Sequence, residues 1–138
     1  MSIVKLENGN KLESKVLGTE WRLYIPCMDD SNEEDSDALN ELITDIVEMT
    51  GGLTEFTGVG VWVSEEEPVQ EEVHVLVFIT EADLRPQMYK VADLLIQRCG
   101  EEAILYTEGG TSYLIQRHLE EANTDLNFSW RVDKDKIS

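Results

Sequence analysis

The chain has 138 residues, 41% of them hydrophobic, and carries 29 acidic against 11 basic residues, for a formal net charge of −18. This length fits one domain with its own core, and the hydrophobic content excludes general disorder. The charge disfavours direct contact with nucleic acid or with an anionic membrane, because both repel a strongly acidic protein.

The sequence also predicts where the protein resides. No apolar run approaches the roughly 18 residues of a membrane span, and the first residues do not resemble a signal peptide. We therefore expect a cytoplasmic protein with no membrane partner. Cys27 and Cys99 form no CxxC or Cys/His cluster, so we expect two buried thiols in a reducing compartment and no metal or other cofactor.

The N-terminal half predicts a hairpin, a strand and a helix, in that order. Residues 3–16 alternate around an Asn-Gly pair, which suits a tight type I′ turn. Residues 19–27 alternate as in a half-buried strand, and Pro26 marks either the end of that strand or an exposed edge. An acidic loop over residues 28–37 then precedes an amphipathic helix, which a Gly-Gly pair terminates.

The C-terminal half predicts two strands, a second helix and further strands. Residues 54–63 and 70–80 are apolar, and the second segment is apolar on both faces, which indicates a central strand covered on both sides. Residues 84–99 carry a helical stripe that Gly100 ends. Further strands are expected at 103–107, at 111–116 (alternatively the start of a short helix) and around 126–132.

The order strand, helix, strand, strand, helix, strand is that of a ferredoxin-like split βαβ fold. We predict one α+β domain over residues 1–138, with an N-terminal β-hairpin (1–18), a ferredoxin-like core (19–107) and a C-terminal extension (108–138) that adds strands. Both helices of this fold lie on one face of the sheet, so the other face is open. Leu76 and Phe78 are assigned to that open face, and we expect the terminal hairpin or a second subunit to cover it, as in a homodimer or higher oligomer.

Part of the chain resembles a family of small, uncharacterised bacterial proteins. The matching pieces are Gly52-Leu53-Thr54, Gly60-x-Trp62, a glutamate at Glu71 or Glu72, Tyr89-Lys90 and Gln97. The resemblance spans residues 51–97 and implies a ferredoxin-like domain without implying a reaction. The chain departs from the family pattern before the glycines, where Glu48-Met49-Thr50 stands in place of the usual Arg-Phe-Pro.

One hypothesis concerns acidic residues that concentrate in two stretches. These residues are Glu33, Glu34 and Asp35 in the first stretch, and Glu65, Glu66 and Glu67 in the second. Such a surface can present negative charge to a basic groove in place of nucleic acid, whereas the alternative is a solubilising surface. The first hypothesis is therefore a non-enzymatic interaction protein, such as a phage or mobile-element inhibitor, that binds a basic, nucleic-acid-handling protein.

The alternative hypothesis concerns aromatic and basic residues predicted near the open face. Arg22, Tyr24, Trp62 and His74 together can stack a ring and hold an anionic group, although core or interface packing explains them as well. The protein would then bind and sequester a small, nucleotide-like molecule on the open sheet face or at a subunit interface.

A third hypothesis is a small enzyme that uses Glu72 and His74. On the predicted strand these two residues share the open face, and a histidine beside a carboxylate can transfer protons near neutral pH. The sequence identifies no nucleophile or oxyanion donor to accompany them, and a packed histidine is the alternative.

Overall fold

The computed structural model describes residues 1–29 and 31–118. Within these residues the elements are, in chain order, β1 (Ser2–Lys5), β2 (Lys11–Ser14), β3 (Thr19–Pro26), α1 (Glu33–Thr50), β4 (Thr54–Ser64), β5 (Glu67–Thr80), α2 (Arg85–Cys99), β6 (Ala103–Glu108) and β7 (Thr111–Gln116). The segment 111–116 is a strand, as the first of its two alternatives predicted. The strand expected around 126–132 lies outside the described residues.

Five strands form one antiparallel sheet in the order β4-β5-β3-β6-β7, and β1 pairs only with β2. Without β7, this order places the first strand of the motif, β3, between the third and the fourth. This is the arrangement of the ferredoxin-like split βαβ fold. The predicted α+β fold is confirmed, with β7 added at one edge.

The core lies between the two helices and one face of the sheet. Its largest buried members are contributed by β3, β5, α1, α2 and β6, and include Trp21, Leu23, Leu42, Ile46, Leu76, Phe78, Met88, Leu95 and Tyr106. Asn32 caps α1 by accepting a hydrogen bond from the Asp35 N–H at 3.1 Å, and Gly51 ends that helix with φ of +88°. Neither described helix is long and apolar enough to span a membrane.

The register of β5 reverses the orientation predicted for that strand. Leu76 pairs with Leu23, and Phe78 pairs with Trp21, so all four side chains lie on the helix-covered face. The prediction that Leu76 and Phe78 lie on the open face is therefore wrong. Because β5 is apolar on both faces, alternation alone cannot decide which face meets the helices, and the pairing with β3 decides it.

The N-terminal hairpin, β1 with β2, stands apart from the rest of the described structure. It makes contacts within itself but packs against no other described element. Gly18 joins it to β3 with φ of +136°, and a side chain there would collide with the backbone of Thr80. The hairpin therefore does not cover the open face of its own chain, contrary to one of the two predicted alternatives.

Cys27 and Cys99 are joined by a disulfide, with their Cα atoms 5.9 Å apart. The expectation of two buried thiols is therefore wrong. The bond connects the residue that follows β3 with the last residue of α2, across a sequence separation of 72. It fixes the end of the central strand to the loop that leads into β6.

Candidate functional site

A pocket of about 780 Å³ opens on the helix-free face of the sheet, beside the end of β3. Strand β6 pairs with β3 from Trp21 to Leu23 and then separates from it, which leaves a cleft between the two strands. Strand β3 ends at Pro26, and Cys27 has φ of +62°, whereas β5 extends six residues past the partner of Pro26. The pocket therefore forms where the central strand is shorter than its neighbours.

The wall of the pocket on the β4 side is aromatic and apolar. Trp62 lies across Gly60, because a Cβ atom built at Gly60 would be 2.6 Å from an indole carbon and 3.1 Å from Val73. Glycine at this position lets the indole approach the sheet, where the ring stays 37% exposed. Tyr24 and Leu105 line other parts of the same pocket. This wall offers flat apolar surface to a ring.

Two carboxylates lie in the pocket, Glu71 from β5 and Glu101 from the loop after α2. Burial, followed by the charge of Glu101 and a hydrogen bond with it, raises the pKa of Glu71 from 4.5 to about 7. The Oε1 atom of Glu71 is buried and has no hydrogen-bond partner within the described part of the chain. The pair can therefore receive a cationic or hydrogen-bond-donating ligand.

The predicted ring-binding residues divide between this pocket and a smaller one. Tyr24 and Trp62 line the main pocket, and Tyr24 also lines a depression of about 270 Å³ that contains Arg22. The Arg22 Nε atom donates to Glu20 at 3.2 Å, and this interaction raises the pKa of the guanidinium. All three predicted residues lie on the open face, but Arg22 is outside the main pocket.

The predicted position of His74 is wrong. It pairs with Ile25 on the helix-covered face and is 1% exposed, so it does not line the open-face pocket. Its Nε2 atom lies 3.3 Å from the Met28 carbonyl oxygen, and its Nδ1 atom lies 3.5 Å from a carboxylate oxygen of Glu55. Glu72 shares this face, away from the pocket. The error follows from the reversed orientation of β5.

The two acidic stretches belong to different elements. Glu33, Glu34 and Asp35 form the first turn of α1, where Arg98 pairs with Asp35 and holds the pKa of that carboxyl below its usual range. Glu65 and Glu66 form the turn between β4 and β5, and Glu67 begins β5. Both turn glutamates have positive φ, 52° and 71°.

Sequence reasoning missed the carboxylate pair, since it named Glu71 only within the family resemblance and did not name Glu101 as a site residue. Thirty positions separate them, and the short central strand brings them into one pocket. The sequence signal that could have indicated this pocket was Pro26, because it ends β3 while the neighbouring strands predicted from the sequence continue. Among the described residues, no group of three or more His, Cys, Asp or Glu is arranged to hold a metal ion.

Comparison with known proteins supports the fold. No family model matches the chain, and no curated protein matches it. A phage SAM lyase in complex with S-methyl-5′-thioadenosine is similar in structure, with a TM-score of 0.51 and 12% sequence identity over 80% of this chain and 99% of that chain. A phage SAM lyase in the apo state has a TM-score of 0.49 and 15% identity, with the same coverage. The chain therefore shares the overall fold of a phage protein.

Proposed function

We propose that the open-face pocket binds S-adenosylmethionine (SAM) and that the protein releases S-methyl-5′-thioadenosine from it. The observation that carries this proposal is the presence, in one pocket, of an aromatic wall and a pair of carboxylates. These two features match the two ends of the ligand, since SAM has a flat purine at one end and, toward the other, a sulfonium and an ammonium group together with one carboxylate.

The aromatic wall suits the purine. Trp62 and Tyr24 present ring surface in a pocket of about 780 Å³, a volume within the range of roughly 300–1,000 Å³ that is usual for small-molecule sites. Stacking of a base on an aromatic side chain contributes about 1–3 kcal/mol. The pocket is therefore large enough for an adenosyl group and has a surface that can hold its ring.

The carboxylates suit the cationic end. Glu71 keeps its proton up to about pH 7 because ionisation in the pocket is opposed by burial and by Glu101. A sulfonium or ammonium group placed between the two carboxylates offsets both effects, and an ammonium group can also donate to the buried Oε1 atom. A neutral thioether makes no such charge interaction.

The proposed reaction needs few protein groups. The bond between the sulfonium sulfur and the γ-carbon of the amino-acid chain breaks, and the sulfur keeps the electron pair as a neutral thioether. The carboxylate of the same chain forms the new bond to the γ-carbon and closes a lactone, so no proton has to move. The phage SAM lyase that shares the fold holds this thioether, S-methyl-5′-thioadenosine, which supports the proposal.

The test measures binding and cleavage separately. Purified protein is incubated with SAM, and the thioether product is quantified by mass spectrometry; calorimetry gives the affinities for SAM and for the product. Replacing Glu71 by Gln should weaken SAM binding ten- to a hundredfold, the value of a hydrogen bond to a charged group, and should affect the neutral product much less.

The matched control is Glu72→Gln, an exposed glutamate next to Glu71 in sequence but on the other face of β5. It makes the same change of charge and should leave both affinities unchanged. Absence of binding to either compound would refute the proposal. Binding without product formation would refute the proposed cleavage but would still support SAM as the ligand of the pocket.

A second candidate function is supported by the exposed turn between β4 and β5. Glu65 and Glu66 adopt positive φ there, a conformation that favours Gly or Asn, and unfavourable conformations are often kept at functional sites. The turn can present charge to a basic, nucleic-acid-handling protein, as a phage inhibitor would. Affinity for such a partner should fall as ionic strength rises and fall in Glu65→Gln/Glu66→Gln; an affinity insensitive to salt argues against it.

A further inference from the structure

We propose that the N-terminal hairpin of one copy of this chain docks on the free edge of β4 in a second copy. Among the strands of the described residues, β4 lies at one edge of the sheet and is 11 residues long. Its free edge presents backbone N–H and C=O groups, and it contains one charged residue, Glu55, and no lysine or proline. Such an edge readily pairs with another strand, and native proteins usually cover or interrupt it.

The same strand also exposes apolar side chains. Val59, Val61 and Val63 alternate with the residues of the open face, and each is more than 60% exposed. They lie on the same face of the sheet as the helices, but the helices do not cover them, since these pack on β3, β5, β6 and β7. We refer to these three residues as the valine strip. A strand with a free edge and an exposed apolar strip is suited to bind a further strand.

The N-terminal hairpin has the complementary chemistry. Its exposed apolar side chains are Ile3, Val4, Leu6 and Leu12. Residues 1–18 carry three lysines and two glutamates, for a side-chain charge of +1, whereas residues 19–138 carry the other 8 basic and 27 acidic residues, for −19. The hairpin is therefore a basic and apolar segment on an otherwise acidic chain, and attraction between copies favours its contact with the acidic body of another copy.

The acidic turn lies at the end of the valine strip. Glu65 and Glu66 follow Val63 by two and three residues, so a lysine-bearing strand along β4 can bring its charges near them. Individual exposed ion pairs contribute only about 0–1 kcal/mol, so burial of the apolar side chains supplies most of the stabilisation and the charges select the partner.

The hairpin cannot reach Val63, or the acidic turn that follows it, within its own chain. Gly18 is held against Thr80, and Gly9 at the tip of the hairpin precedes it by nine residues, so the hairpin reaches at most about 30 Å along the sheet. The β5 partner of Val63 is Pro68, twelve residues from Thr80, which places Val63 about 40 Å away. Contact along the whole valine strip therefore needs a second copy, and repeated docking closes a dimer or a small ring.

Charge reversal in two separate variants tests this contact. One variant is Lys5→Glu/Lys11→Glu in the hairpin, and the other is Glu65→Lys/Glu66→Lys in the turn. Light scattering coupled to gel filtration should show an oligomer for the wild type and monomers for each variant alone. Mixing the two variants should restore the oligomer, because the reversed hairpin then meets a reversed turn.

The control is Glu41→Lys/Glu48→Lys, which makes the same change of net charge as the turn variant, but on the exposed side of α1, and should leave the oligomer intact. Restoration on mixing also shows that both variants are folded. A monomeric wild type, oligomers that persist in both variants, or monomers that fail to associate on mixing would each overturn the proposal.

Discussion

The substitution Glu71→Gln removes a carboxyl group whose ionisation the folded protein opposes. In the unfolded chain a glutamate ionises near its ordinary pKa of 4.5, whereas in the pocket burial, followed by the charge of Glu101, raises the pKa of Glu71 to about 7. Below about pH 4.5 both states hold the proton and folding has no penalty. Between these two values the unfolded chain releases the proton first, so the wild type loses stability as pH rises, and the full loss remains above about pH 7.

The size of this loss follows from the two pKa values. The rise from 4.5 to about 7 corresponds to about 3 kcal/mol if the group were sealed from water. Glu71 is only partly buried, and solvent screening reduces the figure to about 1–2 kcal/mol. Glutamine has a similar shape and no charge. Glu71→Gln should therefore match the wild type near pH 4 and exceed its free energy of unfolding by about 1–2 kcal/mol near pH 8.

Urea unfolding of both proteins across this pH range measures the difference. Glu72→Gln serves as the control, because it removes an adjacent but exposed carboxylate and should follow the wild type at every pH. Parallel curves for Glu71→Gln and the wild type would refute the argument that the pocket opposes ionisation. The expected gain in stability with loss of SAM affinity is typical of residues kept for function.

Three further results are expected. Affinity for SAM should rise between about pH 6 and pH 8, and binding should release a proton, because a cation favours the ionised form of the carboxylate pair. Calorimetry in buffers of different ionisation enthalpy measures both quantities. An equal pH dependence of the affinity for the neutral product would contradict this expectation. Cys27→Ser/Cys99→Ser should lower the free energy of unfolding, measured in urea, by up to about 4 kcal/mol. This is the loop-closure entropy that a disulfide across 72 residues removes from the unfolded chain. An unchanged free energy of unfolding would contradict this expectation. Gly60→Ala should displace the Trp62 indole, change its fluorescence and weaken the binding of SAM and of the product about tenfold. Gly58→Ala, where nothing lies within 4 Å of the added Cβ atom, should have none of these effects. Equal effects of the two substitutions would refute the role of the close approach between Gly60 and Trp62.

The fold could be predicted because its signals are local. The alternation of β3, the stripes of the helices and the glycines that end them each mark an element within a few residues, and the order of elements then indicates the split βαβ arrangement. The face of β5 could not be predicted in this way. Val75 and Leu76 are both buried, so only the pairing of Leu76 with Leu23 shows which side meets the helices.

The candidate site could be predicted only in part, for a related reason. Tyr24 and Trp62 were identified from the alternation of their own strands, which places them on the open face. Glu71 and Glu101 come together because β3 ends at Pro26 while its neighbours continue, a relation between three strands that no single segment encodes. The disulfide likewise depends on how the end of β3 meets the end of α2.

The carboxylate pair also bears on how the pocket would choose among adenosine compounds. Adenine nucleotides offer the same ring to Trp62 and Tyr24, but their phosphates would lie beside Glu71 and Glu101 and within the field of a chain with a net charge of −18. Two like charges about 4 Å apart near a protein surface repel by about 4 kcal/mol, roughly a thousandfold in affinity. Under the proposed function, the acidity of the protein would weaken the binding of phosphorylated adenosines and favour SAM, whose sulfonium and ammonium groups are positively charged.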